Sequence, residues 1–202
     1  MAINYELFSL PKAIAIYLGK KEGQIDFNKD VILDYDGANI LKWNLTEKAE
    51  PTMEALITLW DTSRLEYFKA IRREYIGNAF NFVMSKAGSP GCLTTVLDTN
   101  GNRIRMDARR SGIDNDLQNY ESGVAYLVDL ATPTDENPNP DPNPYTPYKD
   151  FYDNFHLFNV EMARKIVREV RAYGLGLLNH RWQKIEEINA CTTCNAVMEV
   201  EW

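Results

Sequence analysis

One stretch constrains this chain more than any other. From about Pro51 or Thr52 to Lys86, apolar side chains recur at mostly helical spacing, and Gly88 and Pro90 close the run. Leu56, Trp60, Phe68, Ile71, Tyr75, Phe82 and Val83 mark its apolar side. Thr52 is suited to cap the N-terminus, and Glu54 complements the dipole in the first turn. At about 1.5 Å per residue such a helix spans roughly 50 Å. That length outruns a small domain, so the helix either bridges two parts of the chain or meets a partner. A break near Asp61-Thr62-Ser63 is the alternative.

Shorter elements flank it. Leu10 to Gly19 reads as a helix, with Pro11 at the first helical position and Gly19 as its stop. Val31 to Tyr35 and Asn39 to Asn44 read as strands joined across Asp36-Gly37-Ala38, with Ile40 and Lys42 on one face and Leu41 and Trp43 on the other. Thr94 to Asp98 and Ile104 to Asp107 form a second hairpin, for which Asn100-Gly101 suggests a type I′ turn. Ile113 to Leu130 is expected to be helical, as are a segment capped by Asn159 and a further one carrying Trp182, Ile185 and Ile188. Gly174 and Gly176 weaken or end the helix capped by Asn159. Residues 133–147 hold six of the nine prolines, so this strip is expected to be an extended loop outside helix and sheet.

The expected fold is therefore α+β, mostly helical with two small antiparallel β-hairpins and one long connecting helix. The expected organisation is a small module over 1–50, the connecting helix over 51–88, and a helical domain over 89–202 that carries the second hairpin.

Composition narrows the function classes. The 202 residues are 45% hydrophobic and 25% charged, which suits a globular chain. A formal net charge of -7 argues against nucleic acid as a partner, because phosphate contacts need a basic surface. Arg103, Arg105, Arg109 and Arg110 form the one dense basic patch, read as salt-bridged or partner-facing. No apolar run of about 18 residues is present to cross a membrane. Met1 to Leu10 lacks the basic start and apolar run of a signal peptide. Three cysteines are too few, and odd in number, for a secreted disulfide framework, which points to a reducing cytoplasm.

Candidate chemistry is thin. Cys191-x-x-Cys194 has redox spacing but follows a helix near the chain end. A closed zinc site needs four ligands; Cys191 and Cys194 could combine with His156 or His180, but the sequence has no second pair at finger spacing, and a disulfide to another subunit is a further option. Plain thiols fit the spacing best. His156 lies among Phe155, Leu157 and Phe158, as a packed core histidine would. Asp34-x-Asp36-Gly37 and Asp98-x-Asn100-Gly101-Asn102 read as hairpin turns rather than calcium loops. No glycine-rich phosphate loop occurs. Neither a catalytic residue, nor a cofactor, nor a metal is expected.

The positive signal is aromatic. Tyr145, Tyr148, Phe151, Tyr152, Phe155 and Phe158 follow the proline-rich strip. Aromatic rings serve cores and binding hot spots alike, because they bury large area with few rotors. Among them Tyr145, Tyr148, Phe151 and Tyr152 are the candidate partner-binding residues.

Two stretches carry a resemblance. Asp26-Phe27, the hairpin ending in Ile40 and Trp43, Pro51-Thr52 and Leu56 resemble the small N-terminal module of phage tail proteins of the XkdW type. Thr95 to Asn189 is similar to a domain of unknown function found beside phage tail-fibre genes. It matches at Asp107-Ala108, Asp114, His156, Glu161, Val167-Arg168-Glu169-Val170, Arg181, Ile185 and Ile188. The proline-rich strip lies outside both patterns. The resemblance implies a tail-fibre assembly chaperone that binds fibre subunits, or a permanent virion component such as a fibre adaptor or baseplate-associated subunit. The implied partner is a tail-fibre or baseplate protein. The implied location is the host cytoplasm during assembly, and then the virion tail if the protein stays. No catalytic residue comes with it.

Overall fold

The computed structural model describes residues 3–85, 88, 90–108, 116–136 and 138–202. The chain is α+β, with three two-stranded antiparallel sheets among the described residues. It forms two compact units, Met1–Ile76 with Lys184–Trp202, and Gly77–Gln183.

In the first unit, α1 (Leu10–Leu18) starts with a proline in its first turn and ends at Gly19, whose φ of 66° lies in the left-handed region. That conformation lets Gly19 N–H donate to Ile16 O at 3.1 Å and Lys20 N–H to Ala15 O at 3.0 Å, satisfying the last carbonyls. Strands β1 (Val31–Leu33) and β2 (Ile40–Trp43) follow. Their register pairs Ile32 with Lys42 but Leu33 with Ile40, so Leu41 is the extra residue of a β-bulge. The bulge inverts the alternation expected for this strand. Ile40 and Trp43 both pack on the core, and Leu41 is left 66% exposed.

Helix α2 (Met53–Val83) runs unbroken for 31 residues, with Ala55 N–H donating to the Thr52 hydroxyl at 3.2 Å. The break at Asp61-Thr62-Ser63 does not occur; the Thr62 hydroxyl donates to Thr58 O at 3.0 Å and stays within the helix. Leu56, Trp60 and Phe68 are buried, as the spacing predicts; Ile76, outside that set, is buried too, whereas Tyr75 and Phe82 are exposed. The inner face also carries two buried cations. Lys69 Nζ donates to Asn189 O at 3.0 Å, and Arg72 Nη2 meets Glu201 Oε1 at 2.8 Å. Burial without such partners would cost several kcal/mol per ion.

The expected 1–50 module does not match the first unit. Its core draws on Ile188 of α4 (Val160–Ala190) and on Cys194 and Val197 of α5 (Cys194–Glu199). Fully burying an aliphatic side chain contributes about 1.5–3 kcal/mol. A segment of about 50 residues buries a small share of its surface and is marginal by itself. The end of the chain supplies the missing layer.

The second unit holds β3 (Cys92–Leu97), β4 (Arg103–Met106), α3 (Asp116–Ala131), β5 (Thr146–Lys149) and β6 (Phe155–Phe158), with part of α2 and most of α4. Along β3, Cys92, Thr94 and Val96 point inward and their neighbours outward. Val96, Met106, Tyr120, Leu127, Phe158 and Ile166 anchor the core. The expected helix start at Ile113 and the residues Asp114, Arg109 and Arg110 lie outside the described residues. Helix α4 is continuous where two helices are expected. Each glycine costs about 1 kcal/mol of helix propensity. The packing of Ile166 and Val170 in one core and Ile188 in the other outweighs Gly174 and Gly176.

The third hairpin, β5–β6, corrects the expected count of two and moves Thr146 and Pro147 from loop to strand. Proline is tolerated because each strand of a two-stranded sheet has one side without a strand neighbour. The same turn device closes all three hairpins. Asp34 N–H donates to Asn39 O, Asp98 N–H to Asn102 O, and Asp150 N–H to Asn154 O. In each turn the Asp carboxylate accepts N–H groups inside the loop and an N–H from the Asn side chain. The left-handed position falls on Gly37, Gly101 and Asp153, with φ of 65°, 80° and 64°. Asn100 keeps a negative φ, so the second hairpin does not have the expected type I′ turn. Gly101 N–H instead donates to Asp98 O at 3.0 Å, giving a turn followed by one left-handed residue. Each hairpin leads into a helix: β1–β2 into α2, β3–β4 into α3, and β5–β6 into α4.

Candidate functional site

The aromatic segment folds into a two-faced hairpin. Its cross-strand pairs are Thr146 with Phe158, Pro147 with Leu157, Tyr148 with His156, and Lys149 with Phe155. Alternation puts Tyr148, His156 and Phe158 on one face, and Pro147, Leu157, Lys149 and Phe155 on the other.

The first face is packed. The Tyr148 ring stacks on Phe158 at 5.4 Å between centroids and meets the edge of Tyr120 at 6.0 Å. His156 lies parallel to Phe158 at 6.1 Å, and its Nε2 is 3.0 Å from Asp150 Oδ2. Burial alone would raise the Asp150 pKa, but hydrogen bonds from His156, Asn154 and Tyr152 bring it below the ordinary value. Phe151 fastens the turn to the neighbouring hairpin. Its N–H donates to Arg105 O at 2.8 Å, and its Cδ2 would lie 2.8 Å from a β-carbon at Gly91.

The second face is apolar and open. Phe155 is 69% exposed and Leu157 63%. Pro147 and Lys149 are exposed beside them, with the Lys149 ammonium 5.3 Å from the Phe155 ring centroid. Tyr145 and Tyr152 are 52% and 64% exposed at the two ends of β5. Of the four residues singled out in the sequence, Tyr145 and Tyr152 thus lie at the surface, whereas Tyr148 and Phe151 hold the hairpin in place. Phe155, Leu157 and Pro147 complete the exposed face. The signal for Phe155 and Leu157 is their period-two spacing against His156 and Phe158. Such a surface can bury aromatic and aliphatic groups of a partner, and the outer edge of either strand can accept a further strand.

The other candidates take structural positions. Cys194 is buried at the start of α5, and burial together with the Glu6 carboxylate pushes its thiol up to about 11. That shift opposes the thiolate needed for redox exchange. Glu6 accepts the N–H groups of Cys194 and Asn195, and the Cys191 thiol donates to Glu187 O at 3.2 Å. Among the described residues no three His, Cys, Asp or Glu side chains converge as a metal site, and no helix is long and apolar enough to cross a membrane. Arg103 donates to Thr94 O at 2.7 Å and Leu93 O at 3.0 Å, and Arg105 to Pro90 O and Gly91 O. These two members of the basic patch serve the β3–β4 hairpin.

Compared with known protein families, with curated proteins and with solved structures, the chain matches none.

Proposed function

We propose that this chain is a bacteriophage tail-fibre assembly chaperone or accessory protein, and that it binds fibre subunits through the outer face of the β5–β6 hairpin. The observation that carries the binding role is the exposure of Phe155 and Leu157 beside Pro147, Tyr145 and Tyr152 on a hairpin whose opposite face is packed. Large apolar groups clustered at a surface mark interaction sites. Fibre polypeptides expose apolar surface and strand edges before they trimerise, and a chaperone shields such surface until the trimer closes. The choice of a fibre as partner rests on the resemblance carried by Asp26-Phe27, Trp43, Pro51-Thr52, Asp107-Ala108 and Val167-Arg168-Glu169-Val170.

The test is co-expression with the tail-fibre polypeptide encoded by the same phage. Soluble trimeric fibre rises several-fold when the chain is present and returns to the basal yield with Phe155→Ser/Leu157→Ser. An equal yield with and without the chain overturns the chaperone reading. A fixed ratio of chain to fibre in washed virions, without any gain in soluble trimer, makes the protein a permanent tail component instead.

A further inference from the structure

The second unit has a cleft of about 520 Å³ that uses none of the hairpin's outer residues. Glu121 and Val124 of α3 line it together with Arg164, Val167, Arg168 and Arg171 of α4. The apolar side chains belong to Val124 and Val167, and the arginines recur along one helix at spacings of four and three. Arg171 is engaged inside the molecule, its Nη2 lying 2.8 Å and its Nε 2.9 Å from Glu121 Oε1. Arg164 and Arg168 are exposed. The nearby Glu169 carboxylate is held by the backbone N–H and hydroxyl of Thr95. The Glu169 carboxylate also feels the charge of Arg168. In a chain with 29 acidic and 22 basic residues, two exposed guanidinium groups beside an apolar floor are a local reversal of charge.

We propose that this cleft binds an acidic segment of a partner polypeptide, with carboxylates on Arg164 and Arg168 and an apolar side chain on Val124 and Val167. Side chains four apart on a helix are about 6 Å from one another. Alternate residues of an extended peptide are about 7 Å apart on one face, so two acidic residues separated by one match the two arginines. Each guanidinium presents a planar fork that pairs with a carboxylate through two hydrogen bonds. The apolar floor favours a peptide over nucleic acid, whose phosphates would leave Val124 and Val167 uncovered. The cleft and the hairpin face use different residues, so either can fail without the other.

The experiment is a fluorescence-anisotropy titration of the full chain. The probe is a labelled twelve-residue peptide with glutamate at alternate positions and leucine at the centre. Binding is expected to weaken at least tenfold when glutamine replaces the glutamates, and to a similar degree in Arg164→Gln/Arg168→Gln. It should also weaken as salt rises, and stay unchanged in Phe155→Ser/Leu157→Ser. Circular dichroism of the arginine variant should match the parent, because both side chains are exposed. Three results would overturn the proposal: no binding at millimolar peptide, equal binding of the glutamine peptide or by the arginine variant, or tighter binding of a single-stranded oligonucleotide at the same residues.

Discussion

The Tyr148 hydroxyl occupies the space where Gly123 would carry a side chain: a β-carbon built at Gly123 lies 0.9 Å from Tyr148 Oη and 2.2 Å from Cζ. Strand β5 and helix α3 therefore fit together only because position 123 is glycine. The Tyr148 ring, stacked on Phe158 and edge-on to Tyr120, has little room to withdraw. Gly123→Ala should destabilise the protein by about 1–3 kcal/mol through overpacking, although alanine favours a helix by about 1 kcal/mol. Chemical denaturation measures the change, and an unchanged or raised midpoint would show that the ring moves aside freely.

The same hydroxyl is buried without a hydrogen-bond partner among the described residues. Burial also pushes the phenol pKa up. Tyr148→Phe removes an unsatisfied polar atom and leaves the ring contacts intact, so it should be neutral or stabilising by about 1 kcal/mol. A loss of stability in the same denaturation assay would mean that the hydroxyl has a partner after all.

The three turn aspartates give a defined acid response. Hydrogen bonds to the Asn39 side chain and to loop N–H groups hold Asp34 below the ordinary carboxylate range. Asp98 is lowered first by the Asn102 N–H, and Asp150 by His156, Asn154 and Tyr152 against the effect of burial. A carboxylate with a depressed folded pKa binds protons more weakly folded than unfolded. Its contribution is thus complete above the unfolded value of about 3.9 and disappears as pH falls through the folded value. Thermal midpoints should hold from pH 7 to about 5 and drop below about 4. Asp34→Asn/Asp98→Asn/Asp150→Asn should flatten that drop, since an amide oxygen still accepts in the turn but does not titrate. An acid limb of unchanged steepness would assign the loss to other carboxylates.

The two C-terminal thiols should differ sharply in reactivity. Cys194 is buried with its pKa raised to about 11, whereas Cys191 is half-buried. Thiol titration of the folded chain near pH 8 should modify Cys191 and spare Cys194 until denaturant is added. Peptide mapping reads the sites, and prompt labelling of Cys194 would contradict its placement.

The elements legible in the sequence were those with local causes. Pro11 and Gly19 bound α1 through proline geometry and a left-handed glycine. Thr52 and the spacing of Leu56, Trp60 and Phe68 give most of α2. What stayed hidden depends on distant chain or on small register changes. The Leu41 bulge is one extra residue, yet it exchanges the faces of β2. The β5–β6 hairpin has Asp153 where the other two have glycine and a proline inside a strand, so neither usual signal marks it. The repeated pattern of an Asp, a left-handed residue three positions on and a following Asn would have found it. The contribution of Ile188, Cys194 and Val197 to the first unit is a long-range packing choice without a local signature. At the candidate surface, aromatic content indicated the segment, and only strand alternation separates Phe155 and Leu157 from Tyr148 and Phe158.

The measurement that bears most directly on the central claim is quantitative mass spectrometry of material co-purifying with the tagged chain from cells producing the phage. The parent chain should be compared with Phe155→Ser/Leu157→Ser. The tail-fibre protein should be captured in a defined ratio with the parent chain and fall at least tenfold with the variant, while the variant keeps its thermal midpoint. Failure to enrich the fibre protein, or equal enrichment by the variant, would contradict that claim.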